Sequence, residues 1–300
     1  MSTELRSSAP VATAIPEAGR RNGAVRGYGR FFASELRLVF RRRRNQLLLL
    51  VVFAFPVLIG IGLKIASPHP SGGEGNGPQA FFNQLAGNGV FLTLIALQAL
   101  LILVLPLVVA VVAGDSIAGE AGYGTLRYLL TRPAGRVRLL SIKYLAIVTY
   151  GLVATFIIAI TALLVGVILF PVGPVTLLSG TTVSLASGLV RVLWVTLYIA
   201  VAMAAMGAIG LAISTLTEHA IGAIAAIMVL VVTSEVVDQV PEFGAVAPYL
   251  PTHWWNSFDS LLRSPIDTST LAHGLLSFAV YAVLFTSLAW AKFTTSDVTS

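Results

Sequence analysis

A chain of 300 residues that is 56% hydrophobic and only 11% charged, with a mean hydropathy of +0.88, carries more apolar surface than one soluble core can hide. Composition therefore excludes an ordinary water-soluble globular protein, and no interval outside the apolar runs is long and hydrophobic enough to fold alone. The net charge of +6 does not point to nucleic acid, because 16 of the 19 basic residues fall where one membrane orientation places them in the cytoplasm; the absence of cysteine excludes disulfides, thiolate nucleophiles and Cys-ligated zinc.

Residues 1–27 mix Ser, Ala, Pro, Gly and Arg without a hydrophobic period, which predicts a disordered cytoplasmic tail. Arg20-Arg21 resembles a twin-arginine signal, but the first hydrophobic run begins only at Leu47, too late for an export signal of that kind. Over 28–46, Phe32, Leu36, Val39 and Phe40 recur at helical spacing among Arg30, Glu35, Arg37 and Arg41, predicting an amphipathic helix at the membrane interface. Arg41, Arg42, Arg43 and Arg44 then stand where the first span starts, in position to meet phosphate headgroups and orient the chain.

A hydrocarbon core of about 30 Å needs roughly 20 helical residues. Six stretches qualify, at about 47–66, 90–113, 142–170, 189–213, 219–238 and 271–291, giving an all-α integral membrane protein with a six-span domain over 47–291. The 67–89 and 171–188 loops hold no Lys or Arg, whereas the N-terminal segment and the 114–141 loop hold many. Both termini, including the 292–300 tail, are thereby assigned to the cytoplasm. Pro56 and Pro106 lie inside the first two spans and predict kinks, since each removes a backbone donor. Ala200, Ala204, Ala208 and Ala212, with Gly207 and Gly210, form a small-residue stripe that permits close helix contact, either within the chain or between copies.

Between the fifth and sixth spans, 241–263 contains proline breaks, Tyr249 and the pair Trp254-Trp255. Rings that are apolar with one polar edge favour the headgroup level, so this segment is expected to lie on, or dip into, the outer leaflet, with Trp254 and Trp255 as membrane-interface residues.

Chemistry is sparse. The four histidines have no i, i+4 pair, and no metal site is expected. There is no G-x-S-x-G, no H-E-x-x-H and no G-x-x-x-x-G-K-[ST], so any nucleotide-driven work must come from another polypeptide. The acidic residues near spans lie at span ends, where solvated carboxylates are the ordinary reading. Attention falls on the 114–141 loop. Gly122 and Gly124 interrupt the second span's extension, Thr125 can cap a new helix, Leu126, Leu129 and Leu130 share one face, and Arg132-Pro133 ends it. A helix of under two turns is not stable alone in water. Its apolar face must bury against a partner groove or the bilayer surface.

Asp115, Glu120, Gly124-Thr125-Leu126, Leu129-Leu130, Pro133 and Arg136 resemble the pattern that ABC-2 type transporter permeases carry between their second and third spans. The rest of the chain resembles that family too, in its leading amphipathic helix, six spans and long outer segment before the last span. It departs from many members at Ala121-Gly122-Tyr123, where they carry a more charged run. The resemblance implies an ABC-2 (type V exporter-like) membrane domain with 28–46 as connecting helix and 114–141 as coupling loop. It further implies a homodimer or heterodimer of permease subunits in the cytoplasmic membrane, energised by a separate ABC ATPase that binds ATP and Mg, this chain having no cofactor and no catalytic residue of its own. The expected cargo is a lipid, drug or other amphipathic molecule, exported. Two other classes are compatible with the sequence: a lipid-modifying membrane enzyme using His253 and Asp259, and a non-catalytic membrane scaffold.

Overall fold

The computed structural model describes residues 17–66, 88–122 and 136–295. Helix α1 (Glu17–Arg41) leads into α2 (Arg43–Ala66) through a break at Arg42. Residues 17–27, expected in the disordered tail, belong to α1. Next come α3 (Phe91–Leu101) and α4 (Val104–Gly122), then α5 (Arg136–Leu169), α6 (Leu185–Leu216), α7 (Ala220–Asp238) and α8 (Thr268–Thr295). The all-helical expectation misses one small feature, a hairpin of β1 (Val175–Thr176) and β2 (Thr182–Val183), antiparallel with Val175 opposite Val183. Among the described residues five helices are long and apolar enough to cross a membrane, and α3 with α4 makes a sixth if the bent pair counts as one span. The protein is thus a mostly helical, multi-pass membrane protein.

The second span is broken rather than kinked. The α3 and α4 axes differ by 51° across the interruption at Ile102-Leu103. Pro106 explains the position: it cannot donate to the carbonyl of Ile102, four residues back, and its ring would collide with that carbonyl. Helical bonding resumes with Leu107 N donating to Leu103 O at 3.0 Å. Pro56 interrupts nothing, and α2 is continuous through it.

Helix α6 is the centre of the bundle. Of its spanning window 72% is buried, against 17% for both α2 and α8, because α6 packs on α4, α5, α7 and α8 together. The small-residue stripe makes this possible. A Cβ on Gly210 would lie 2.6 Å from the Ala113 Cβ, so α4 and α6 touch at a distance only glycine allows. Ala208 and Ala212 are likewise buried, and this part of the stripe serves packing within the chain. At the opposite end of α5 the approach is backbone to backbone: a Cβ on Gly89 would sit 2.2 Å from Gly166 O, and one on Gly166 would sit 2.1 Å from Gly89 O. Asn88 fixes this contact, its Nδ2 donating to Gly173 O (2.7 Å) and Pro174 O (3.1 Å), while its Oδ1 accepts from Val90 N.

The segment between α7 and α8 folds as short 3₁₀ turns at Pro241–Phe243 and Ala247–Tyr249 and a longer one at His253–Leu262. The 3₁₀ repeat brings Trp255 and Phe258 to one buried face, and Leu262 is buried at the end of the same segment. Trp255 is 2% exposed, so it anchors the segment in the protein. Trp254 is only partly buried and donates its indole N–H to Pro248 O at 2.9 Å. Arg191, on α6, clamps the segment by donating to the carbonyls of Leu261 and Arg263.

Candidate functional site

The expected 114–141 loop is shorter in the structure. Residues 114–122 continue α4 and 136–141 begin α5, so Asp115 and Glu120 stand on a helix rather than in a loop. Gly124, Thr125, Leu126, Leu129, Leu130 and Pro133 lie outside the described residues. Arg136 is the first residue of α5.

The site is built where α1, α2, α4 and α5 converge at the end of the bundle from which 123–135 leaves. Lys143, about two turns into α5 from Arg136, is only 2% exposed. Burying an ammonium is costly unless it is paired, and Lys143 Nζ meets two carboxylates: Glu120 on α4 at 2.6 Å and Glu35 on α1 at 3.0 Å. Asp115, one helical turn and a residue before Glu120, receives Arg42 at the α1–α2 break and Arg44 at 3.2 Å. Asp115 and Glu120 therefore turn inward, with side chains 13% and 19% exposed, and their partners are supplied by this chain. Of the four arginines expected at headgroups, Arg42 and Arg44 pair with Asp115; Arg41 and Arg43 are exposed.

Hydrogen bonds continue the clamp. Asn45 is buried and caps the end of α1 by donating Nδ2 to Val39 O at 2.9 Å, satisfying a terminal helix carbonyl. Tyr150 on α5 donates to Asn45 O at 2.7 Å, and its ring packs against Phe40. Nearer the start of α5, Tyr28 donates to Ser141 Oγ at 3.1 Å, and the Arg138 guanidinium lies over the rings of Tyr28 and Phe31. On the other flank Ser214 of α6 donates to Gly114 O at 2.9 Å and accepts from Ile117 N and Ala118 N, tying α6 to α4. The charged residues enclose a cavity of about 30 Å³, far below the ~300–1,000 Å³ of small-molecule sites. At that size it is a packed polar junction between helices. Among the described residues no group of His, Asp and Glu is placed to hold a metal ion.

Sequence reading singled out Asp115 and Glu120 but gave Lys143 and Glu35 no joint role. A signal for Lys143 was present: an ionisable residue inside the run counted as the third span requires a partner. Which residue supplied it was not readable, since Glu35 is far away in the chain.

Fold and site together define a multi-pass helical membrane protein whose polar centre braces the helices on both sides of one interhelical segment. The chain belongs to the family described as protein of unknown function DUF2705, whose model matches residues 74–299. A search of curated proteins gives no match.

Proposed function

We propose that this chain is the membrane-spanning permease subunit of an ATP-driven transporter of the ABC-2 kind, energised by a separate cytoplasmic ATPase that docks on the 123–135 segment. The observation that carries the reading is the Lys143 junction. It joins the leading helix α1 to the last described turn before that segment, through Glu120, and to the helix after it, through Lys143 itself. A force applied to 123–135 would then reach α1, α4 and α5 as one unit, which is what coupling ATP hydrolysis to helix movement requires. The motif over Gly124 to Pro133 and the missing phosphate loop support the same reading.

In this proposal Leu126, Leu129 and Leu130 face the ATPase, while Asp115 and Glu120 hold the docking element in place from inside. Two permease subunits form the working unit in the cytoplasmic membrane, with both termini cytoplasmic and an amphipathic molecule exported. The test is purification of the full chain from membranes in mild detergent together with its candidate ATPase. The wild type is expected to retain ATP hydrolysis and Leu129→Asp to lose it. Retention by Leu129→Asp equal to wild type, or no ATPase with the wild type, overturns the proposal.

A further inference from the structure

At the end of the bundle opposite the Lys143 junction, the His253–Leu262 turns and the start of α8 enclose a cleft of about 490 Å³, within the ~300–1,000 Å³ range of small-molecule sites. Its walls include Asn256, Asp259, Arg263 and Thr270. Most polar groups around it are already satisfied. Asp267 accepts from the backbone and hydroxyls of Ser269 and Thr270, and His253 Nδ1 is 2.5 Å from Asp238 Oδ1. The side chains of Asp259 and Arg263 differ: among the described residues neither makes a hydrogen bond or ion pair, although they sense each other's charge. Burial pushes the Asp259 carboxyl above the usual carboxylate range, with Arg263 opposing the shift. A half-buried carboxylate and an exposed guanidinium on one cleft wall, close enough to feel each other's charge yet not paired, are complementary to a ligand carrying both charges.

We propose that this cleft holds the headgroup of a zwitterionic phospholipid, its ammonium on the Asp259 carboxylate and its phosphate on the Arg263 guanidinium. The surroundings favour a lipid over a free metabolite. Ile266, beside Asp267, is 41% exposed, and beyond Thr270 helix α8 presents Leu276, Val280 and Val283 at 63%, 55% and 67% exposure. Acyl chains extending from the headgroup would lie on that surface. The lining favours a primary over a quaternary ammonium: Trp254 is the one Trp, Tyr or Phe on the cleft wall and stacks on His273 at 5.7 Å, so the wall supplies no cage of several large aromatic rings. A primary ammonium instead donates directly to Asp259. Phosphatidylethanolamine has this chemistry.

The inference goes beyond the permease reading and does not depend on it, since no ATPase enters the test. The full-length protein in detergent is equilibrated with phosphatidylethanolamine, phosphatidylcholine or phosphatidylglycerol of matched chains, and retained lipid is counted by native mass spectrometry. Soluble phosphoethanolamine is tested in parallel. Phosphatidylethanolamine is expected to exceed phosphatidylglycerol by about tenfold, as one charge-assisted contact provides. Asp259→Asn should bring that ratio to near one, and Arg263→Gln should lower retention of all three lipids. Both side chains are at the cleft wall, and unchanged melting temperatures would show that the variants fold. Undiminished selectivity in folded Asp259→Asn overturns the proposal. So does binding of phosphoethanolamine without phosphatidylethanolamine, which would make the cleft a metabolite site.

Discussion

Replacing Lys143 by Met tests the junction most directly, because it keeps the stem's volume and removes only the charge. At an effective dielectric near 20 the attraction between unit charges is roughly 6 kcal/mol at the 2.6 Å to Glu120 and 5.5 kcal/mol at the 3.0 Å to Glu35. Most of this is offset by the several kcal/mol needed to dehydrate each ion, so the intact triad contributes little net stability. The variant is another matter. It leaves two carboxylates facing a vanished cation, and removing one partner of a buried pair costs about 3–5 kcal/mol. With Glu35 and Glu120 13% and 19% exposed, some hydration remains, which favours the lower end, about 3 kcal/mol. In thermal unfolding of the detergent-solubilised chain this corresponds to a fall of roughly 6–12 °C. Adding Glu35→Gln and Glu120→Gln to Lys143→Met should recover much of the loss, since neutral amides need no counter-charge. If Lys143→Met melts with the wild type, or if the triple variant is less stable than the single one, the electrostatic account is wrong.

Gly166→Ala should destabilise the fold by about 1–3 kcal/mol or more, because its Cβ would occupy a position 2.1 Å from the Gly89 carbonyl oxygen and backbone must move; chemical unfolding against wild type checks this. Gly274→Ala places a Cβ 2.0 Å from Tyr198 Oη, which donates to Trp254 O, so it should loosen the 253–262 segment and raise protease cleavage there. Tyr198→Phe in the same chain removes the colliding oxygen and should restore part of the protection. Asp267 is fully exposed and caps α8, and its hydrogen bonds with Ser269 and Thr270 hold its carboxyl down at about 2. A depressed folded-state value means the cap's contribution is present above the ordinary carboxyl value of 3.8 and is lost as pH falls through about 2; Asp267→Asn should flatten that acid limb of the melting-temperature profile.

The sequence by itself determined the class of molecule. Apolar runs of membrane length fix helices there, because a backbone in hydrocarbon has no other donors and acceptors than its own. Runs of membrane length were legible for that reason, five of them as single helices and a sixth as the bent pair α3 and α4. What the sequence could not decide was pairing across distance. Whether Asp115 and Glu120 faced solvent or the interior depended on where α1 lay, and only the folded bundle brings Glu35 and Arg42 beside them. Trp255 had the composition of a headgroup anchor, yet the 3₁₀ register turns it onto the same buried face as Phe258. The small residues of α6 were compatible with two interfaces until packing against Ala113 chose one for Gly210. In each case a local pattern supplies a capability, such as charge, apolar area or absence of a Cβ. Tertiary structure decides what it meets, because partners remote in sequence become neighbours only when chain entropy has been spent on folding.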